Sequence, residues 1–169
     1  MINLELGTGN VILTISVDGE KQNIDDKILA TFWSDDIYLD DEKTKMYLEN
    51  VGAEVFGKYV VCWAYVAQGQ GGIVFVWDTE IKSVVHYCNG AFAEKAELHD
   101  NKVYVLRYVS YWGVQAHFEL DCCELGVKSE NNDSTEVDFT IQLNENEPFD
   151  AGKYRFIYNE DGSVAVKAK

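Results

Sequence analysis

The sequence predicts an all-β protein, an antiparallel β-sandwich or partly closed barrel built from meander hairpins. Three observations carry that expectation. Alternating runs rich in Val, Ile, Tyr, Phe and Trp recur along the whole chain, the period-2 pattern of half-buried strands. Gly or Asx residues punctuate nearly every gap between runs, and helix-start signals are scarce. With 169 residues, 47% of them apolar, the chain has enough material for one buried core, so residues 1–169 are read as a single β-rich domain.

The clearest strand runs are Val11–Val17, Lys27–Trp33, Tyr59–Ala67, Ile73–Trp77, Val84–Cys88, Val103–Trp112, Val114–Leu120, Val137–Leu143, Tyr154–Tyr158 and Val164–Val166. Between them, Gly7-Thr8-Gly9-Asn10, Asp18-Gly19, Asn89-Gly90 and Asp161-Gly162 supply residues that tolerate positive φ, as tight hairpins require. Residues 41–50 fit a short helix capped by Asp41 or, equally, a strand with Met46, Leu48 and Asn50 alternating. In the long run 103–112, Tyr104, Leu106, Tyr108, Ser110 and Trp112 share one face, and Val103, Val105, Arg107, Val109 and Tyr111 the other. A strand covered on both faces puts Arg107 where it needs an acidic partner or an exposed end.

A weak internal echo suggests an alternative architecture, a small propeller-like repeat. Ile37-Tyr38-Leu39-Asp40, Phe75-Val76-Trp77-Asp78 and Phe118-Glu119-Leu120-Asp121 each close an apolar-x-apolar-Asp step, at a spacing of roughly 40 residues, the length of one blade. Hairpin turns select Asp in any case, so ordinary meander periodicity accounts for the same pattern.

The formal net charge of −15 sets the limits on partners. It opposes phosphate and anionic lipid, so direct nucleic-acid binding and membrane binding are disfavoured and any charged partner should be basic. The start of the sequence lacks a basic stretch followed by an apolar run, and no apolar window approaches the roughly 20 residues of a membrane-crossing helix, so a cytoplasmic location is expected. Four cysteines, Cys62, Cys88, Cys122 and Cys123, lack CxxC spacing and sit in strand-like surroundings, where reduced, small core residues are expected.

Sequence-local catalytic signatures are missing, and Gln68-Gly69-Gln70-Gly71-Gly72 leads into a strand rather than a helix, unlike a phosphate loop. His86 and Cys88 share a strand face at i, i+2, and His117 with Cys122 or Cys123 are the residues that would have to join them in a metal site. Without the close ligand pairs of structural zinc centres, the expectation is buried structural residues, no metal and no cofactor. Glu119 or Asp121 opposite Asp78 or Glu80 would form a catalytic carboxylate pair, but among 29 acids such neighbours arise by chance. The chain is therefore not expected to be an enzyme.

What departs from an ordinary domain is the clustering of acids. Asp25-Asp26, Asp35-Asp36, Asp40-Asp41-Glu42 and, later, Glu130, Asp133, Glu136, Asp138, Glu145, Glu147 and Asp150 fall in turns or at alternate strand positions. Such charge protects strand edges and keeps molecules apart. Interleaved with Tyr38, Tyr47, Tyr111 and Trp112, it also suits capture of a basic protein by steering and aromatic anchoring. The sequence thus predicts a non-enzymatic acidic binding protein, with Asp35, Asp36, Tyr38, Asp40, Asp41, Glu42, Trp112, Glu145, Glu147 and Asp150 as partner-binding residues. Its partner would be a nuclease, toxin or nucleic-acid-binding effector, inhibited by a toxin immunity protein or by a phage-type nucleic-acid mimic that blocks a nuclease or CRISPR effector. The alternatives are a β-module binding a carbohydrate or other small ligand, or a structural propeller-like scaffold.

Overall fold

The computed structural model describes residues 1–7, 11–25, 27, 48–66, 71–109, 112–113, 115–127, 133–136 and 151–169. The fold is nearly all β, with antiparallel sheets, none of them closed into a barrel among the described residues. Strands β1 (Ile2–Leu6), β2 (Val11–Val17) and β3 (Glu20–Asp25) form a first sheet in chain order. A second meander joins β4 (Leu48–Phe56), β5 (Tyr59–Val66), β6 (Gly71–Asp78) and β7 (Ser83–Asn89). A third joins β8 (Ala93–His99), β9 (Lys102–Val109), β10 (His117–Glu124) and β11 (Asp133–Glu136). After a single 3-10 turn at Ala151–Lys153, β12 (Tyr154–Tyr158) and β13 (Val164–Ala168) form a two-stranded fourth sheet.

These sheets stack face to face in chain order, and strand periodicity explains how. On β5 and β6 of the second sheet, Val60, Cys62, Ala64, Ile73 and Phe75 point to one side, where they meet Ile12, Leu13, Ile15 and Ile24 of the first sheet. The alternate residues Val61, Trp63, Val74 and Val76 point the other way, onto Ala93, Ala96, Val103, Val105 and Cys123 of the third. Tyr104, Leu106, Phe118 and Leu120 then carry the opposite face of the third sheet onto Phe156 and Val166 of the fourth. A strand apolar at every position is thus buried on both faces, and each fully buried aliphatic or Phe side chain contributes about 1.5–3 kcal/mol relative to exposure.

Turn chemistry closes the hairpins where left-handed backbone is needed. Asp18 and Gly19 both have positive φ (50° and 88°), the pattern of the tightest two-residue turn, and Asp100 and Asn101 (46° and 60°) repeat it between β8 and β9. Asn89-Gly90 departs from expectation. It is not a hairpin turn but the crossing from the second sheet to the third, and a Cβ on Gly90 would lie 2.5–2.7 Å from the backbone of Ile73. Glycine is needed there for close approach rather than for φ.

Of the predicted run 103–112, residues up to Val109 lie in β9, residues 110–111 fall outside the described residues, and Trp112 lies in a turn; of the run 114–120, His117–Leu120 lies in β10, which continues to Glu124. Leu48–Asn50 belongs to β4, whereas residues 41–47, the predicted strand 137–143 and most of 27–33 fall outside the described residues. Strand β8 was not foreseen, because Ala93-Glu94-Lys95-Ala96-Glu97-Leu98 is made of helix formers. Packing overrides that preference. A bulge between Ala93 and Lys95 brings Ala93 and Ala96 to the same face, and their small side chains let the second and third sheets approach.

Burial on β8 also leaves a signature in pH. Desolvation pushes the Glu94 carboxyl up to about 7. A raised value favours the folded state below the unfolded carboxyl pKa, and that contribution is lost as pH rises through the folded value. Stability should therefore fall by roughly 1–3 kcal/mol between about pH 4.5 and 7, after allowance for partial solvent contact. Urea titrations of wild type and Glu94→Gln across that window check it: the glutamine variant should lose this part of the slope and be the more stable of the two at pH 8.

Candidate functional site

Of the residues predicted to bind a partner, Asp35, Asp36, Tyr38, Asp40, Asp41, Glu42, Glu145, Glu147 and Asp150 lie outside the described residues. Trp112 is described, and its indole is fully exposed in the turn that follows β9. Among the described residues it is the only exposed large aromatic; Trp63, Phe75, Phe118 and Phe156 are buried in the interlayers.

Two pairs of acids are held by cations. Arg107, on the β9 face that turns toward the second sheet, donates from Nη1 to Asp121 Oδ2 at 3.2 Å and lies 3.8 Å from Glu119 Oε2. Its Nε donates to Ala91 O at 2.8 Å. This is the acidic partner that the strand pattern demanded. Asp121 Oδ1 is buried and without a hydrogen bond. Asp78 and Glu80 share Lys58 instead, at 2.9 and 3.0 Å. Burial works against ionisation of Asp78, but Lys58 and the backbone N–H groups of Glu80 and Ile81 outweigh it and hold the carboxyl below its ordinary value. Each carboxylate pair thus has its own cation, and neither is arranged as an unpaired acid and base.

A cleft of about 350 Å³ opens beside Leu4, Leu6, Ala53 and Trp63, with Glu54 and Lys95 in its lining. Its buried lysine is committed, lying 3.4 Å from both Glu54 and Glu97 and donating to Tyr154 O at 3.3 Å. The cation is thus already neutralised within the fold.

The three histidines go to three places. His99 stacks on Tyr158 with ring centroids 3.8 Å apart, and His117 lies 2.8 Å from Glu119 Oε1. His86, by contrast, meets Cys88 and Cys123. One ligand-type atom from each lies within 4.8 Å of the other two, and all three residues are buried between the second and third sheets. The same-face pairing of His86 and Cys88 was legible from i, i+2 spacing on β7. That Cys123 rather than Cys122 completes the group follows from the pleat of β10, which turns Cys122 toward the fourth sheet, while His117, at the other end of the strand, is taken by Glu119.

Two hydrogen bonds define the group's chemistry. Gly126 N–H donates to His86 Nδ1 at 2.9 Å, and His86 Nε2 lies 3.3 Å from Cys123 Sγ. Hydrogen bonding from the Cys88 thiol and from His86 draws Cys123 below the ordinary thiol range, while Cys88 is pushed well above it. None of the four cysteines is in a disulfide.

Comparison with known proteins finds no protein-family model, no curated protein and no solved structure that matches the chain. The class that fold and sites define is therefore a physical one: an acidic stack of antiparallel sheets, with one exposed indole and a buried thiol–imidazole group among its described residues.

Proposed function

We propose that this chain is a non-enzymatic acidic binding module that occupies the basic surface of another protein and so inhibits or neutralises it. The observation that carries the reading is Trp112, a fully exposed indole at a strand-end turn of a chain with net charge −15. A large apolar side chain left in water is the residue type that dominates protein interfaces, and the chain's net negative charge steers a basic partner toward it. Basic clefts that normally accept phosphates would meet carboxylates instead. The partner class is a nuclease, toxin or nucleic-acid-binding effector, and the natural roles are those of an immunity protein or a phage-type inhibitor.

Affinity capture from lysates of the source and of candidate hosts, at low and at high salt, tests this. The expected result is stoichiometric retention of one basic protein at low salt and its release at high salt. Trp112→Ala should weaken that complex by about 2 kcal/mol or more, roughly thirtyfold in Kd, with no loss of thermal stability because the indole buries nothing in the free chain. Binding indifferent to both salt and Trp112 would sink the reading.

A further inference from the structure

We infer that Cys88 and Cys123 form a redox-active dithiol, a modification site at which a peroxide oxidises Cys123 and Cys88 closes the product to a disulfide joining the second sheet to the third. Cys88 lies on β7 and Cys123 on β10, in facing sheets, with their sulfurs within 4.8 Å of each other and of the His86 imidazole. A bridge between these strands would span the interlayer.

His86 decides between a thiol site and a metal site. The Gly126 N–H makes Nδ1 an acceptor, so neutral imidazole carries its proton on Nε2, and that proton faces Cys123 Sγ. A metal on Nε2 would need the lone pair there and the proton on Nδ1, directly against the Gly126 N–H. Metal-bound histidines ordinarily donate from their second nitrogen to a carbonyl or carboxylate, the reverse of this arrangement. The group is built to present an N–H to a thiolate.

The two cysteines are unequal in the way such chemistry needs. Cys123 faces the His86 Nε2 proton at 3.3 Å and is drawn below the ordinary thiol range, whereas Cys88 is pushed above it. The Cys123 thiolate attacks one peroxide oxygen, the O–O bond breaks, and the departing alkoxide or hydroxide takes up the proton that Cys123 had released. Cys123 is then a sulfenic acid. Cys88 sulfur attacks Cys123 Sγ, the S–O bond breaks, and the hydroxyl leaves as water with the Cys88 proton. In sum, two thiols and ROOH give one disulfide, ROH and water. Among the described residues β7 is an edge strand of its sheet, and the turn that reaches His86 through the Gly126 N–H contains Leu125, half-buried, and Gly126, exposed.

The test is made on the reduced full chain, exposed to hydrogen peroxide, then unfolded, alkylated and mapped by mass spectrometry. A loss of two hydrogens with a Cys88–Cys123 cross-link, while Cys62 and Cys122 remain alkylatable, is the expected result. Cys88→Ser should stop at a sulfenic acid on Cys123 that dimedone traps, and His86→Gln should slow oxidation about tenfold or more. If either variant fails to fold, equilibration of the unaltered chain in glutathione redox buffers decides, since the pair should titrate as one two-electron couple. Four thiols still alkylatable after peroxide, a cross-link between other cysteines, or stoichiometric zinc or copper that survives purification and is lost in His86→Gln would each overturn the inference.

Discussion

Replacing Arg107 by Ala is expected to destabilise the fold by about 3–5 kcal/mol, the range for removing one member of a buried ion pair. The cost does not lie chiefly in the lost attraction. Asp121 is 3% exposed, and its Oδ1 is already without a hydrogen bond, so Arg107 is what offsets the burial of that carboxylate. Without the guanidinium, a charge stays between the second and third sheets with neither water nor a cation, and Ala91 O loses its 2.8 Å donor beside the sheet crossing. Neutralising the acid should recover much of the loss, so Arg107→Ala combined with Asp121→Asn should be clearly more stable than Arg107→Ala alone. Urea unfolding of wild type, both single variants and the double variant measures the coupling. A loss below about 1 kcal/mol for Arg107→Ala would mean that Asp121 finds water or another donor once the arginine is gone.

Arg107 was legible in the sequence because a cation in an otherwise apolar strand must be answered by an acid, and two acids recur at Glu119 and Asp121. The strands easiest to read were those buried on both faces or firmly alternating, such as β2, β5, β6 and β12. What misled was local preference opposed by packing. In β8, helix formers are held extended by a bulge and by the need for small residues between two sheets, and Asn89-Gly90 has a turn's composition but the steric role of a crossing. The chain-order stacking of sheets is a property of tertiary contact, although the alternation Val60-Val61-Cys62-Trp63-Ala64, apolar at every position, already required covers on two sides. The thiol–imidazole group was half legible, through His86 and Cys88 on one strand. Cys123 and the Gly126 N–H come from 37 and 40 residues away, and no local spacing encodes them.

Truncating Phe75 to Ala should be the most damaging of the simple core changes, at about 3–5 kcal/mol, or a fall in Tm of roughly 6–20 °C for a chain of this length. Phe75 is fully buried and is the largest such side chain between the first and second sheets. It pairs with Cys62 on β5 and Tyr87 on β7, so the cavity would open in the middle of a sheet rather than at its margin, where collapse is difficult. The effect should not stay in one interlayer. The residues on either side of Phe75, Val74 and Val76, pack on the third sheet, so any shift of β6 that fills the cavity loosens the opposite face. Far-UV circular dichroism and tryptophan fluorescence should therefore move to a lower midpoint together, with Trp63 reporting the face toward the third sheet and Trp77 the face toward the first. Two separated transitions would instead mean that the sheets are coupled only to their neighbours, as in a repeat array, and that the first can come away while the others hold.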